Sequence, residues 1–499
     1  MRVFLIRKAR HSSKDERIRV FLTYFVKSLK RSRGNGELQK QAIKWGDTIT
    51  PISIFHRLKG TKKFLLESSG AHDQKGRFSF IGVNPYKEII GSKKNSTVIN
   101  LTTGEEETIE QLPLEVVKEH TPNIDLPLPY AFYGGAIGYI GYDTIRQYEY
   151  IGEKLEDEIE MPDVHMMFYQ DVIVFDHMKQ KVTLLTMDLN GDREESILEE
   201  RLVEMEEEIW THEKPLKEEE LHVSFQPSIQ KSRFLEMVET AKRHIVEGDI
   251  FQVVLSQRMK ASFEADPFTF YRKLRVANPS PYMYFIDFND YIVLGASPES
   301  LIKTTGKEVI TNPIAGTRPP RGATEQEDAQ LATELLADEK ELAEHKMLVD
   351  LSRNDLGRVC EISSITIPKY MAIERYQHVM HIVSEVHGTL TDNYTGLDAL
   401  ISALPAGTVS GAPKIRAMQI INDLEDKKRG VYAGAVGYIN INGDLDLALA
   451  IRTMVIKGNN AYVQAGAGIV YDSDPESEYL ETLNKARALL EVSKHDITH

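Results

Sequence analysis

Helix-like and strand-like segments do not alternate regularly along this chain, and that irregularity constrains its fold more than any other feature. From Trp45 onward the pattern is mainly short strands and turns, at 64–68, 78–82 and 131–135. Segments 171–175 and 182–185 pair across Asp176-His177-Met178. Leu198, Leu202, Met205 and Ile209 then recur at helical spacing with glutamates on the other faces, which predicts a solvated acidic helix. Pro215 and the charged run to Glu220 read as a linker. Beyond it come a helix near 232–247, strands at 252–255 and 291–294, and a long helical zone over about 328–359. Strands at 433–441, 445–454 and 461–466 precede a closing helix over about 477–492. A doubly wound parallel sheet requires strict alternation of strand and helix. The expectation is therefore an α+β fold, a large two-domain sandwich of mainly antiparallel sheets flanked by helices.

At 499 residues the chain exceeds one ordinary core. The expected division is a basic extension over 1–40, a first domain over 41–190, an acidic helix and linker over 191–228, and a second domain over 229–499. No run of about 18 apolar residues is present, so no membrane span is expected. Residues 1–40 hold 12 Lys and Arg against 3 Asp and Glu, leaving 48 basic against 72 acidic in the remainder. A body that acidic repels a phosphate backbone, which argues against a nucleic-acid partner. The single cysteine, Cys360, excludes an intrachain disulfide and fits a reducing cytoplasm. The basic start lacks the uninterrupted apolar core and small-residue cleavage site of a signal peptide. A transit peptide, a surface arm and an upstream extension of the reading frame all stay open for it.

Two Glu-x-x-Glu steps carry the most chemistry. Glu341 and Glu344 form one, Glu478 and Glu481 the other, and i, i+3 spacing puts both carboxylates of each pair on one helix face. Each face could simply be solvated. Brought together, the two would need a cation, and Mg²⁺ suits a few carboxylates plus an anionic ligand. Pro313-Ile-Ala-Gly-Thr-Arg318 and Gln464-Ala-Gly-Ala-Gly468 are small-residue segments that let backbone N–H groups approach an anion, or else tight turns. Ala406-Gly-Thr-Val-Ser-Gly-Ala-Pro-Lys414 lacks the Gly-Lys-Ser/Thr ending of a nucleotide phosphate loop. Arg452 interrupts an apolar strand and needs either a substrate carboxylate or an internal salt bridge. His381 lies among apolar residues, and Glu299 follows a strand and a proline turn. Cys360 has no strand-to-helix elbow, so the chain carries no cysteine nucleophile for glutamine hydrolysis.

As a set, these segments and Ala343-Glu-His-Lys-Met-Leu-Val-Asp-Leu-Ser-Arg-Asn-Asp355 resemble the chorismate-utilising enzymes, most closely the large component of anthranilate synthase, over about residues 48–492. The resemblance implies a magnesium-dependent lyase that makes anthranilate and pyruvate from chorismate and ammonia, the first committed step of tryptophan biosynthesis. It implies that Glu344 and Glu481 ligate Mg²⁺, with Glu341 and Glu478 supporting. Tyr432, Arg452, Gly466, Ala467, Gly468 and Lys485 would hold the enolpyruvyl carboxylate, with Gly316 and Thr317 lining the pocket. Glu299 would be the general acid for the departing C4 hydroxyl, with His381 and Thr408 beside the ring. Gln252 stands where isochorismate and salicylate synthases have a water-activating lysine, and Ala315 stands where aminodeoxychorismate synthases have a nucleophilic lysine. Both differences favour ammonia addition. The implied partner is a glutamine amidotransferase subunit. Tryptophan is the implied feedback inhibitor, held by Glu67, Ser68, Pro281, Tyr282 and Met283. An aminodeoxychorismate synthase and a catalytically silent tryptophan-binding regulator are the alternatives. The loop after Thr317 looks one residue long, and 70–77 does not align with the family's basic tryptophan contact.

Overall fold

Alternate residues of the strand Asp171–Asp176 enter two different cores. Val172 and Val174 face one, and Ile173 and Phe175 face the other. The same division recurs in Tyr282–Asp287, where Tyr284 and Ile286 point one way and Met283 and Phe285 the other. Strands buried on both faces read as continuous apolar runs, and the period of two shows only in where each side chain ends up.

The computed structural model describes residues 29–30, 37–68, 76–210, 221, 223–318, 322, 324–375 and 379–492. Most of the basic extension 1–40 and of the linker after Trp210 lies outside them. The described strands form two large antiparallel sheets, of 13 and 12 strands. The first runs from Glu37–Trp45 through Phe64–Glu67, Tyr282–Asp287, Tyr291–Ser297, Thr453–Lys457 and Asn460–Ile469 to Gln252–Ser262. The second runs from Ile314–Arg318 through Met380–Thr389, Ser300–Thr305, Leu445–Leu449 and Ala435–Asn440 to Gly135–Ile140 and beyond. Both draw strands from 41–190 and from 229–499. An aromatic-rich core containing Phe64, Phe132, Tyr139, Tyr169 and Tyr284 fills the space between them. Helices cover the outer faces. This is the α+β sandwich expected from the irregular alternation.

The acidic helix forms over Glu195–Trp210 and buries Leu198, Leu202, Met205 and Ile209 against the first sheet. Lys40 pairs with Glu195 at 2.8 Å and Glu199 at 2.5 Å, and Lys44 with Glu206. The long helical zone is two helices, Glu325–Ala337 and Glu339–Gly357. Asp338 separates them and caps the second by accepting from the N–H groups of Lys340 and Glu341. The strand expected at 131–135 instead begins at Gly135. A Cβ there would lie 2.2 Å from the carbonyl oxygen of Ile439, and the φ of +123° also requires glycine. The strand expected over 445–454 is two strands, Leu445–Leu449 and Thr453–Lys457, in different sheets. Among the described residues no helix is long and apolar enough to cross a membrane.

Candidate active site

The chain passes from one sheet to the other twice at the same place. Tyr291–Ser297 belongs to the first sheet and Ser300–Thr305 to the second, so the crossing falls at Pro298-Glu299. Leu445–Leu449 returns from the second sheet to Thr453–Lys457 in the first, crossing at Ala450-Ile451-Arg452. Each crossing strand is paired to its counterpart, so the crossings lie side by side. Leu449 N–H donates to the Glu299 carbonyl at 3.0 Å, and Ala296 N–H to the Arg452 carbonyl at 3.1 Å. Arg452 turns the chain with a left-handed φ of +48°. Thus Arg452 does not interrupt a strand. It is the bend between two of them.

Glu299 is buried, and burial pushes its carboxyl up to about 7, against the opposing pull of Thr408, Lys485 and Arg452. Thr408, in the short turn Gly407–Val409, donates its hydroxyl to Glu299 Oε1 at 2.8 Å. A small cleft opens beside this pair, lined also by Asn312, Ser352 and Asp355. Burial, and the positive charge of Arg452, lower the proton affinity of His381, partly opposed by its bond to Gly316. Its Nδ1–H donates to the Gly316 carbonyl at 3.1 Å, which fixes the tautomer of the neutral ring. Gly316 sits at a register shift in Ile314–Arg318 with φ +67°, and a Cβ would lie 3.2 Å from Glu341 Oε2. Thr317 stands in register with His381.

The strand Asn460–Ile469 forms another wall. A Cβ on Gly466 would meet the Tyr432 hydroxyl at 2.8 Å, and one on Gly468 would meet Gln252 Nε2 at 2.6 Å. Ala467, between them, buries its methyl in the core formed with Val253, Leu255 and Ile421, so it offers the pocket backbone only. Gln252 donates to Glu344 Oε1 at 2.9 Å, while its own buried Oε1 has no partner among the described residues. On the closing helix Pro475–Leu490, Lys485 donates to the Gly466 carbonyl at 3.1 Å and pairs with Glu481 at 2.7 Å.

The glutamate helices approach each other: Lys340 acts electrostatically on Glu478 across the gap. Burial raises the proton affinity of Glu478, and neighbouring Glu481 raises it further. Its Oε2 is buried without a described partner. Among the described residues no three of these four carboxylates close into one ligand cluster, Glu344 being held by Gln252 and Glu481 by Lys485; the unsatisfied Glu478 Oε2 is the oxygen that suits a divalent cation.

A second cluster lies on the first sheet. Glu67 and Met283 are register partners on adjacent strands. Glu67 pairs with Arg275 at 2.9 Å and accepts from the Tyr271 hydroxyl at 2.9 Å, while its Oε1 is buried without a described partner. Ser68 follows the strand end, Pro281 precedes Tyr282, and the Tyr282 hydroxyl donates to Asp446 at 3.0 Å. Met283 points into the helix-covered core. Tyr271 and Arg275 did not figure in the sequence reading, although their i, i+4 spacing on one helix was the available signal. Of the stretch 70–77, residues 70–75 lie outside the described residues, and Arg77 pairs with Asp176 at 2.9 Å.

The model of the chorismate binding enzyme family matches residues 62–491. Anthranilate synthase component 1 of Lactococcus lactis is 47% identical over 90% of this chain and 98% of its own length. The chain belongs to this family. Anthranilate synthase component 1 of Acetivibrio thermocellus is 46% identical over 90% of this chain and 93% of its own. The crystal structure of anthranilate synthase component I from Streptococcus pneumoniae superposes with a TM-score of 0.78 at 45% identity, covering 92% of this chain and all of that one.

Proposed function

We propose that the chain is the chorismate-converting component of an anthranilate synthase, a lyase using chorismate and ammonia. The observation that carries the reading is the buried Glu299, held near neutrality between Thr408 and Arg452 in a chain so similar to component 1 proteins. A general acid must carry a proton at working pH and sit in a dry, shaped site, and Glu299 meets both conditions.

Arg452, Tyr432 and Lys485, with the backbone of Gly466–Gly468, bind the enolpyruvyl carboxylate. Glu344 and Glu481, supported by Glu341 and Glu478, would hold Mg²⁺, which when bound supplies the charge that anchors the ring carboxylate. Gln252 keeps Glu344 oriented through its 2.9 Å bond, and a neutral amide cannot act as the base for water. Ammonia forms the bond to ring C2 as both ring double bonds shift and the C4–O bond breaks, and the new ammonium gives up one proton to solvent. The leaving hydroxyl takes the Glu299 proton and departs as water. Loss of the C2 proton with cleavage of the enolpyruvyl C–O bond then gives anthranilate and pyruvate. No cysteine suited to glutamine hydrolysis is present, so ammonia comes from a separate amidotransferase subunit. Tryptophan binds at Glu67, Ser68, Pro281, Tyr282 and Met283 and inhibits by favouring one of two arrangements of the sandwich. The cytoplasm is the expected compartment.

Purified chain with chorismate, Mg²⁺ and ammonium should yield anthranilate fluorescence and pyruvate, and should use glutamine only with the partner present. Formation of 4-amino-4-deoxychorismate without anthranilate would overturn the reading.

A further inference from the structure

Behind the substrate pocket lies a buried ion pair to which the proposed reaction assigns no role. Arg429 and Glu425 are 2% and 7% exposed. They meet through two bonds, Nε to Oε2 at 2.9 Å and Nη2 to Oε1 at 2.6 Å, the fork geometry that holds a carboxylate in one plane. The remaining guanidinium contacts go to three walls of the pocket. Nη1 donates to the carbonyl of Val409 at 2.7 Å, in the turn that carries Thr408. Nη2 also donates to the carbonyl of Val254 at 2.8 Å, two residues from Gln252. The guanidinium stacks 4.8 Å from the Tyr142 ring and 5.5 Å from the Tyr432 ring. Glu425 fixes the same strand from the other side, its Oε1 accepting from Ser256 N–H and the Ser256 hydroxyl, each at 2.8 Å.

A buried ion pair contributes little net stability, because desolvating two charges offsets most of their attraction. Its expected contribution is geometric. From this fork we infer that Arg429, locked by Glu425, is a positioning residue that sets Thr408 against Glu299 and orients Tyr432 toward the substrate carboxylate. The inference rests on the chorismate reading given above. Removing the fork frees the Thr408 turn, so the bond that holds Glu299 down weakens and its proton affinity rises. The Tyr432 ring at the same time loses the cation that polarises its hydroxyl for an anionic acceptor.

The test uses the full chain in ammonia-dependent turnover, with chorismate affinity measured separately by calorimetry. Arg429→Gln alone strands the Glu425 charge and risks misfolding. The deciding variant is therefore Glu425→Gln/Arg429→Met, which leaves no unpaired charge and keeps an acceptor for Ser256. It should fold, raise the KM for chorismate on the order of tenfold, and move the alkaline limb of the kcat profile upward by about one unit. Arg429→Lys should recover part of both. Adding Tyr432→Phe to the double variant should worsen KM less than the separate effects predict. A folded double variant with wild-type KM and an unmoved limb overturns the inference, as does strict additivity with Tyr432→Phe. If wild type binds chorismate without making anthranilate, the functional reading fails while the affinity loss still decides the role of Arg429. If wild type does not bind chorismate, both fail.

Discussion

Replacing Glu299 with glutamine separates proton transfer from stability at one position. Burial lifts this carboxyl from 4.5 to about 7. A lift of about 2.5 units corresponds to about 3 kcal/mol of preference for the protonated form in the folded state. Because the folded value lies above the unfolded one, that stability is fully present below about pH 4.5 and is lost as the pH rises through about 7. Glutamine copies the protonated carboxyl in shape, never ionises, and still offers Thr408 an acceptor. The two proteins should therefore melt together at pH 4. At pH 8.5 the variant should melt a few degrees higher, the shift that about 3 kcal/mol produces in a chain of this size. Ammonia-dependent anthranilate formation should fall by about 10²- to 10⁴-fold at every pH. The wild-type rate, expressed per unprotonated ammonia, should decline above pH 7 as the acid loses its proton. If the variant's melting point follows pH as the wild type's does, Glu299 is not the buried proton carrier. If the variant turns over normally, it is not the acid.

Three further outcomes follow from the same geometry. Glu478→Gln should raise the melting temperature of metal-free protein by removing a half-buried carboxylate that lies beside the like charge of Glu481, and should raise the Mg²⁺ concentration giving half activity, measured by titrating Mg²⁺ back into EDTA-treated protein. Gly468→Ala drives a methyl to 2.6 Å from Gln252 Nε2 and should displace the amide from Glu344; the concentration of Mg²⁺ giving half activity should rise about tenfold, the usual cost of losing a partner of a metal ligand. Arg275→Ala leaves the Glu67 carboxyl buried without its cation, and tryptophan titration of the inhibited-to-uninhibited rate ratio should show the inhibition weakened about tenfold or more.

How much of this was legible in the sequence depends on the range of each signal. The stripe Leu198, Leu202, Met205 and Ile209 is periodic and local, and all four residues are buried as that period requires. The pairing of Asp171–Asp176 with Lys181–Met187 was legible because a short turn joins them. The break at Asp338 was not legible, because the polar run around it keeps the helical pattern unbroken and only the structure shows it capping the second helix. The bend at Arg452 gave no local sign, since Leu449, Ala450 and Ile451 continue the apolar run and only the change of sheet breaks the strand. The glutamate steps on two helices were legible as patterns, whereas the approach of Lys340 to Glu478 comes from packing between segments far apart in sequence. Glu425 and Arg429 show the same limit. Their i, i+4 spacing reads as a surface salt bridge, and nothing local says that the pair is buried.

The two crossings explain why the acid and the anion-holding guanidinium meet at all. Glu299 and Arg452 are 153 residues apart, too far for any spacing rule to connect them. Yet Tyr291–Ser297 pairs with Thr453–Lys457 in one sheet, and Ser300–Thr305 pairs with Leu445–Leu449 in the other. Two hydrogen-bonded ladders, one on each side, leave the crossing residues no freedom to separate. A bend between sheets is also where backbone and side chains leave the packed layers, so a carboxyl there can be buried without being enclosed by strand neighbours. That combination pushes Glu299 up to about 7 while Arg452 and Thr408 keep it from rising further. A shift in the register of either ladder would move one crossing past the other. Strand positions at the far end of a ladder, such as Tyr291 opposite Lys457, therefore set the acid's environment as firmly as its immediate neighbours do.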